Sequence, residues 1–124
     1  MIIMTETKPV NKQYDLEERT EAFAKAIIKL CKKLPRTTIN NELVSQEVRA
    51  AGSIGANYIE ANEALSKKDF INRIKICRKE AKESRYWLRL AVSANKELEK
   101  EFLELMQEST ELMNIFGAIL KKSV

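Results

Sequence analysis

The apolar positions of this chain recur at alternating three- and four-residue steps, a spacing that places them on one face of a helix. Four such segments predict helices over residues 15–34, 39–63, 66–92 and 96–122. Only three glycines and two prolines interrupt them, and no strand-like alternation persists for more than a few residues. The sequence therefore predicts an all-α fold.

The four predicted helices each carry a stripe that we expect to form the core. In chain order these stripes are Leu16, Phe23, Ile27, Leu30, Cys31 and Leu34; Leu43, Ala50, Ile54, Tyr58 and Ala61; Phe70, Ile74, Cys77, Ala81, Ser84, Leu88 and Ala91; and Leu98, Phe102, Leu105, Ser109, Leu112, Phe116 and Ile119. One stripe per helix is enough to pack a bundle of this size without disulfides or a metal.

The connections between the segments are short. Pro35 stops the first helix, Thr37 or Thr38 caps the second, and Ser66 caps the third. Short connections make consecutive helices antiparallel, so we predict an up-down-up-down four-helix bundle over residues 14–124. Residues 1–13 are polar and aperiodic, and we predict a flexible N-terminal lead there.

Two further patterns concern how the helices meet other surfaces. Gly52 and Gly55 lie inside the second helix, where glycine is unfavourable, so we expect a neighbouring helix to pack closely there. The second helix also carries Val44, Val48, Ala51, Gly55 and Ile59 beside its stripe, and the fourth carries Leu103, Met106, Met113, Gly117 and Leu120. The extra stripe of the fourth helix indicates either a subunit interface or deeper burial within one chain.

Charge is distributed unevenly along the chain. Residues 66–90 carry nine basic and three acidic side chains, a local charge of +6 against +4 for the whole chain. Six of the basic residues fall within an arc of roughly 80° that extends about 33 Å along the third helix. These residues are Lys67, Lys75, Arg78, Lys82, Arg85 and Arg89.

Six like charges on one narrow arc repel one another, and the phosphates of RNA or DNA would relieve that repulsion. The length of the arc matches roughly one turn of a duplex. We therefore interpret it as a nucleic-acid-binding face that reads shape rather than bases, with Tyr86 and Trp87 expected to pack inside. The alternative is a solvated face that neighbouring acids partly neutralise.

A polar stripe on the second helix is the other candidate site. It contains Gln46, Arg49, Ser53, Asn57 and Glu60. Such a stripe is typical of a solvated face or an internal hydrogen-bond network, in which a basic group or a helix end satisfies Asn57 or Glu60. It would also suit a small ligand or a reaction, but the chain has no histidine to serve as a base.

Several classes of protein lack support in the sequence. No glycine-rich phosphate loop, CxxC pair or ExxH pair occurs, so we expect no cofactor, no metal and no enzymatic activity. Cys31 and Cys77 lie on apolar faces and are expected to be buried thiols in a reducing compartment. With neither a signal peptide nor an apolar run long enough for a membrane span, we predict a cytoplasmic protein.

Two motifs resemble a known family. Arg49–Ala61 (RAAGSIGANYIEA) and Lys79–Ala91 (KEAKESRYWLRLA) are similar to the bacterial four-helix-bundle proteins encoded in intervening sequences of 23S rRNA genes. Ala61 and Asn62 depart from the small residues that often follow Glu60 in that family. The resemblance implies an antiparallel bundle, a cyclic homopentamer and a basic surface suspected of binding nucleic acid. The accessory variability proteins of retroelements are similar in build.

The sequence thus favours a non-enzymatic, oligomeric bundle that binds RNA or DNA backbone through the third helix. The alternative is a protein-interaction scaffold whose basic face meets an acidic or reverse-transcriptase-like partner.

Overall fold

The computed structural model describes residues 12–123, and the side chains of residues 16–123. Four α-helices account for nearly all of this range, with one short 3₁₀ turn between the third and the fourth. They are α1 Lys12–Cys31, α2 Thr38–Asn62, α3 Lys67–Ala94, the 3₁₀ turn Lys96–Leu98, and α4 Glu99–Ser123. The predicted all-α class is confirmed.

The predicted helix bounds differ from the observed ones at the ends of α1 and the start of α4. Lys12 and Gln13, which we predicted as part of a flexible lead, belong to α1, and the rest of that lead lies outside the described residues. At the other end α1 stops at Cys31 rather than Leu34. The chain tightens into a turn in which the Leu34 amide donates to the Cys31 carbonyl at 3.1 Å.

Side-chain caps fix the starts of α2 and α3. The Thr37 side chain accepts a hydrogen bond from the Asn40 amide at 3.0 Å, which selects Thr37 over its neighbour as the cap. Ser66 accepts one from the Asp69 amide at 3.1 Å, as predicted. Each cap satisfies an amide that would otherwise lack an acceptor in the first helical turn.

Helices α2 and α3 run antiparallel along their whole length. Asn40, near the start of α2, exchanges two hydrogen bonds with Asn95, the residue that follows α3, at 3.0 and 2.9 Å. Asn57, near the end of α2, accepts a hydrogen bond from Arg73, in the first half of α3, at 2.9 Å. Buried amides of this kind fix the register of two helices, because a shifted register would leave them unsatisfied.

Ion pairs show the same opposite sense for α1 and α4. Arg19 contacts Glu108 through two hydrogen bonds of 2.7 and 2.9 Å, and Lys33 lies 3.7 Å from Glu101. The bidentate hydrogen bond to Glu108 raises the pKa of the Arg19 guanidinium above its usual value. These pairs hold α1 against α4 and complete a four-helix bundle.

The core consists of the predicted stripes. Its fully buried members include Ile27 of α1, Ile54 of α2, Cys77 of α3 and Phe116 of α4. The second stripe of α4 is mostly used within the chain as well, since its methionines and Leu120 pack against the core. Leu103 is the exception in this stripe, at 50% exposure, and Ile59 of the second stripe of α2 is likewise 47% exposed.

Close packing of α1 on α2 occurs at one of the two predicted glycines. A Cβ atom at Gly55 would lie 3.1 Å from the Thr20 hydroxyl, whereas one at Gly52 would meet nothing within 4 Å. The expectation is confirmed at Gly55 and wrong at Gly52, because α1 approaches α2 at Gly55. No helix within residues 12–123 is long and apolar enough to cross a membrane.

Candidate nucleic-acid interface

Helix α3 carries all six predicted basic residues along its outer side. Five of them are exposed and Arg85 is half-buried. From Lys67 to Arg89 they extend about 33 Å along the helix axis. We refer to this surface as the basic face; it comprises Lys67, Lys75, Arg78, Lys82, Arg85 and Arg89.

The basic face has no acidic partner in the described part of the chain. None of its six side chains lies within ion-pair distance of a carboxylate of residues 16–123, although Arg19, Lys25, Lys33 and Arg49 all do. Other cations of the described range, such as Lys29 and Lys121, also lack a carboxylate partner; the basic face differs in that six unpaired cations share one side of one helix. Their repulsion is relieved only by counterions or by an anionic ligand.

Two of the three acids of α3, Glu80 and Glu83, are engaged by another helix. Glu80 is 7% exposed and lies 3.5 Å from Arg49 of α2, and Glu83 lies 3.1 Å from the same guanidinium. Both carboxylates point towards α2, away from the basic face. These two acids therefore do not neutralise the cations of the basic face, an alternative that the sequence left open.

One member of the basic face lies along α4. A Cβ atom at Gly117 would be 3.6 Å from Arg78 Nε and 4.0 Å from its Cδ, so the stem of the arginine covers that glycine. The guanidinium remains exposed, as arginine stems commonly pack on apolar surface while their charged ends stay in water. This contact sets one edge of the basic face at the α3–α4 groove.

The aromatic residue Tyr86 lies among these cations. We expected it to pack inside, but it is 48% exposed, whereas its neighbour Trp87 is half-buried. The two rings meet edge to face, with centroids 5.3 Å apart and planes at 65°. The sequence does indicate that Tyr86 lies beside these cations. Tyr86 follows Lys82 by four residues and precedes Arg89 by three, a spacing that puts all three on one side of a helix.

The polar stripe of α2 is a hydrogen-bond network. Asn57 donates to the Ser53 carbonyl at 2.9 Å and accepts from Arg73, and Arg49 contacts the two α3 glutamates. Glu60 is exposed. The basic group expected near Asn57 is thus Arg73. These contacts tie α2 to α3 rather than enclose a ligand.

A buried carboxyl that the sequence analysis missed lies next to this network. Glu47 of α2 is 3% exposed; one of its oxygens accepts a hydrogen bond from Ser84 of α3, and the other has no partner in the described structure. Burial raises the pKa of Glu47 to about 8, and the Ser84 hydrogen bond opposes that rise. The side chain is therefore largely neutral at pH 7.

The two cysteines are free thiols, as predicted. Cys77 is buried and donates to the Ile54 carbonyl at 3.5 Å, while Cys31 is half-buried. Burial raises the pKa of Cys77 to about 12 and that of Cys31 to about 11, so neither forms the thiolate needed for nucleophilic or metal-binding chemistry near neutral pH. No three His, Cys, Asp or Glu side chains of the described range cluster as metal ligands.

A groove between the end of α1 and the start of α2 has a volume of about 530 Å³. Ile28, Leu34 and Val44 contribute apolar side chains to its wall, and Lys32 and Arg36 lie at its rim. Arg49, Asn57 and Glu60 do not line it. This groove is therefore not a ligand pocket for the polar stripe.

Comparison with known proteins agrees with the fold. Residues 12–118 match the protein family described as 23S rRNA-intervening sequence protein. The crystal structure of a protein with unknown function from the S23 ribosomal protein family of Bacteroides thetaiotaomicron is similar, with 31% sequence identity and a TM-score of 0.76. The similarity covers 85% of this chain and 97% of that one. No curated protein matches.

Proposed function

We propose that this chain, which belongs to the 23S rRNA-intervening sequence protein family, binds the sugar-phosphate backbone of RNA or DNA through the basic face of α3. The supporting observation is that six cations share one side of a helix without an acidic partner in the described structure, while Glu80 and Glu83 of the same helix pair with Arg49 of α2. Phosphates supply the charge that the protein does not. The proposed activity is binding without catalysis.

Binding of this kind is governed by salt. Each cation that neutralises a phosphate releases counterions, and the logarithm of the affinity falls with the logarithm of salt concentration by about 0.9 per contact on duplex DNA and about 0.7 on a single strand. Because Lys and Arg contacts to phosphate carry no base information, we expect little sequence preference from these six residues.

The test is to replace four central members of the basic face with glutamine and to measure affinity across a salt series by fluorescence anisotropy. These are Lys75, Arg78, Lys82 and Arg85. The matched control removes four exposed lysines from α1, the turn that follows it, and α4, so that the net charge changes equally. Those are Lys29, Lys32, Lys121 and Lys122.

The basic-face variant should bind more weakly and lose up to about three units of salt slope, since each contact contributes about 0.7 to 0.9. The control should keep most of the slope and both variants should keep their helical content. Equal losses in the two variants would mean that net charge alone attracts the ligand. Unchanged affinity of the basic-face variant would remove α3 from the binding surface.

We also infer that the chain assembles into a homo-oligomer, a pentamer if it follows the family that it resembles. Half-exposed apolar side chains on three helices support an assembly: Ile28 of α1, Ile59 of α2 and Leu103 of α4. Light scattering coupled to size exclusion tests this, because five copies have five times the chain mass of 14.3 kDa. A particle with the mass of one chain would refute it.

Assembly would strengthen weak backbone contacts, because a ring presents several basic faces to one nucleic acid. We place this binding in the cytoplasm. Two free cysteines within a bundle of this size suit a reducing compartment, where thiols stay unpaired.

A further inference from the structure

Tyr86 points to the kind of nucleic acid that the basic face holds. Resting on the proposed function, we infer that the face binds single-stranded RNA or DNA, with an unpaired base stacked on the Tyr86 ring. The ring lies about 6 Å along the helix from Lys82 and about 4.5 Å from Arg89. All three side chains are exposed, and neither cation has a carboxylate partner in the described range.

The ring is held by its neighbour. It packs edge to face on Trp87 at a centroid distance of 5.3 Å, and Trp87 is itself half-buried, with its indole nitrogen covered by the protein. About half of Tyr86 nevertheless remains open to solvent, at 48% exposure. A ring fixed on one side and open on the other loses little conformational freedom when it binds a base.

Such a ring discriminates between paired and unpaired nucleic acid. The bases of a duplex stack on one another and present only their edges in the grooves, so an aromatic side chain on a protein surface has no base face to contact. A single strand exposes its bases, and each has a π-face that stacks on an aromatic ring whatever the sequence. Cations on both sides of Tyr86 would hold the phosphates that flank the stacked base.

The arrangement also explains why the surface combines these residue types. A single strand presents both phosphates and unpaired bases, so it can use the cations and the aromatic ring together. A contact between subunits would also cover Tyr86, and the experiment below separates the two.

The experiment compares wild type with Tyr86→Ala and Tyr86→Phe on two labelled probes, an oligo(U) strand and an RNA duplex with the same number of phosphates. Ile39→Ala is the matched control, since Ile39 is 64% exposed and lies in the first turn of α2. Anisotropy gives the affinities, and emission from Trp87, the sole tryptophan of the chain, reports binding next to Tyr86.

We expect Tyr86→Ala to weaken oligo(U) binding by about 5- to 150-fold, the range for loss of one stacked base. Its salt slope and its affinity for the duplex should not change. Tyr86→Phe and Ile39→Ala should bind oligo(U) like wild type, because phenylalanine keeps the stacking surface and Ile39 lies on α2 rather than on the basic face. Emission from Trp87 should change when wild type binds oligo(U).

Other outcomes overturn the inference in distinguishable ways. If Tyr86→Ala binds oligo(U) like wild type while the basic-face variant does not, phosphate binding is supported and base stacking on Tyr86 is refuted. Equal losses on both probes, or a reduced particle mass for Tyr86→Ala, would make Tyr86 a structural or subunit contact instead. If wild type binds neither probe at low salt, the proposed function fails as well.

Discussion

Glu47 should make the stability of this protein fall as the pH rises through neutrality. Its carboxyl is 3% exposed, bonded to Ser84 on one oxygen and unpartnered on the other within the described structure. No basic side chain of residues 16–123 pairs with it. Folding therefore moves this carboxyl into a poorly solvating site, which disfavours the charged form.

The sign follows from proton binding in the two states. The folded pKa of about 8 lies above the ordinary value of 4.5, so between these values the folded state holds a proton that the unfolded state has lost. The contribution of Glu47 to the free energy of unfolding is greatest below pH 4.5 and decreases by about 1.4 kcal/mol per pH unit above it. The loss levels off above pH 8 at roughly 5 kcal/mol, a large part of the 5–15 kcal/mol that typically stabilises a domain.

Glu47→Gln removes the titration while keeping the shape. Near about pH 3.5 the variant and wild type should differ by less than about 1 kcal/mol, because the Glu47 carboxyl is then largely protonated in both states. At pH 8 the variant should be the more stable by roughly 3 to 5 kcal/mol. Titrations of the other carboxylates cancel in the difference between the two proteins.

Urea denaturation followed by circular dichroism measures this difference at a series of pH values, at one protein concentration so that any assembly contributes equally. Glu60→Gln, which removes an exposed carboxylate from the same helix, is the control. A difference between Glu47→Gln and wild type that stays constant from pH 5 to pH 8 would refute the reasoning, because it would mean that the folded state ionises Glu47 as readily as the unfolded state.

Two further predictions concern how the helices pack. Gly55→Ala should destabilise the protein, because the added Cβ would lie 3.1 Å from the Thr20 hydroxyl. Gly52→Ala should stabilise it by up to about 1 kcal/mol, because nothing lies within 4 Å of the added Cβ and alanine favours the helix. Urea midpoints of the two variants that shift in the same direction would contradict this. Asn95→Ala should lower the free energy of unfolding by about 2 to 3 kcal/mol in the same assay, because it leaves the buried Asn40 amide without one partner. A decrease below about 0.5 kcal/mol would show that the pair does not hold α2 to α3.

The sequence predicts the helices and their buried faces well because helical periodicity decides both. Cys77, Leu88 and Phe116 fall at the expected phase of their helices and are buried. It also places the six cations of the basic face on one side of α3, since residues at three- and four-residue spacing share a side. It does not show whether acids of other helices pair with these cations, because ion pairs between helices depend on the register of the neighbouring helix.

Contacts at single positions were harder to predict for the same reason. The sequence predicts close helix packing equally at Gly52 and Gly55. Only the point where α1 crosses α2 distinguishes them. Tyr86 has an apolar ring and a polar hydroxyl, so the side chain can be either buried or exposed. Its outward position follows from how α2 and α4 pack on the two flanks of α3.

Glu47 shows how such a position can be found from sequence. The α2 stripe skips from Leu43 to Ala50, and Glu47 fills the gap at steps of four and three residues, so its phase predicts burial whatever its charge. Ser109 of α4 occupies an equivalent core position and is satisfied within its own helix, where it donates to the Met106 carbonyl at 2.8 Å. A glutamate side chain is too long for that and offers only acceptors when ionised, so it needs a donor on another helix or a proton. A charged residue at a core phase therefore predicts a shifted pKa, and Glu47 is where this chain couples its folding to pH.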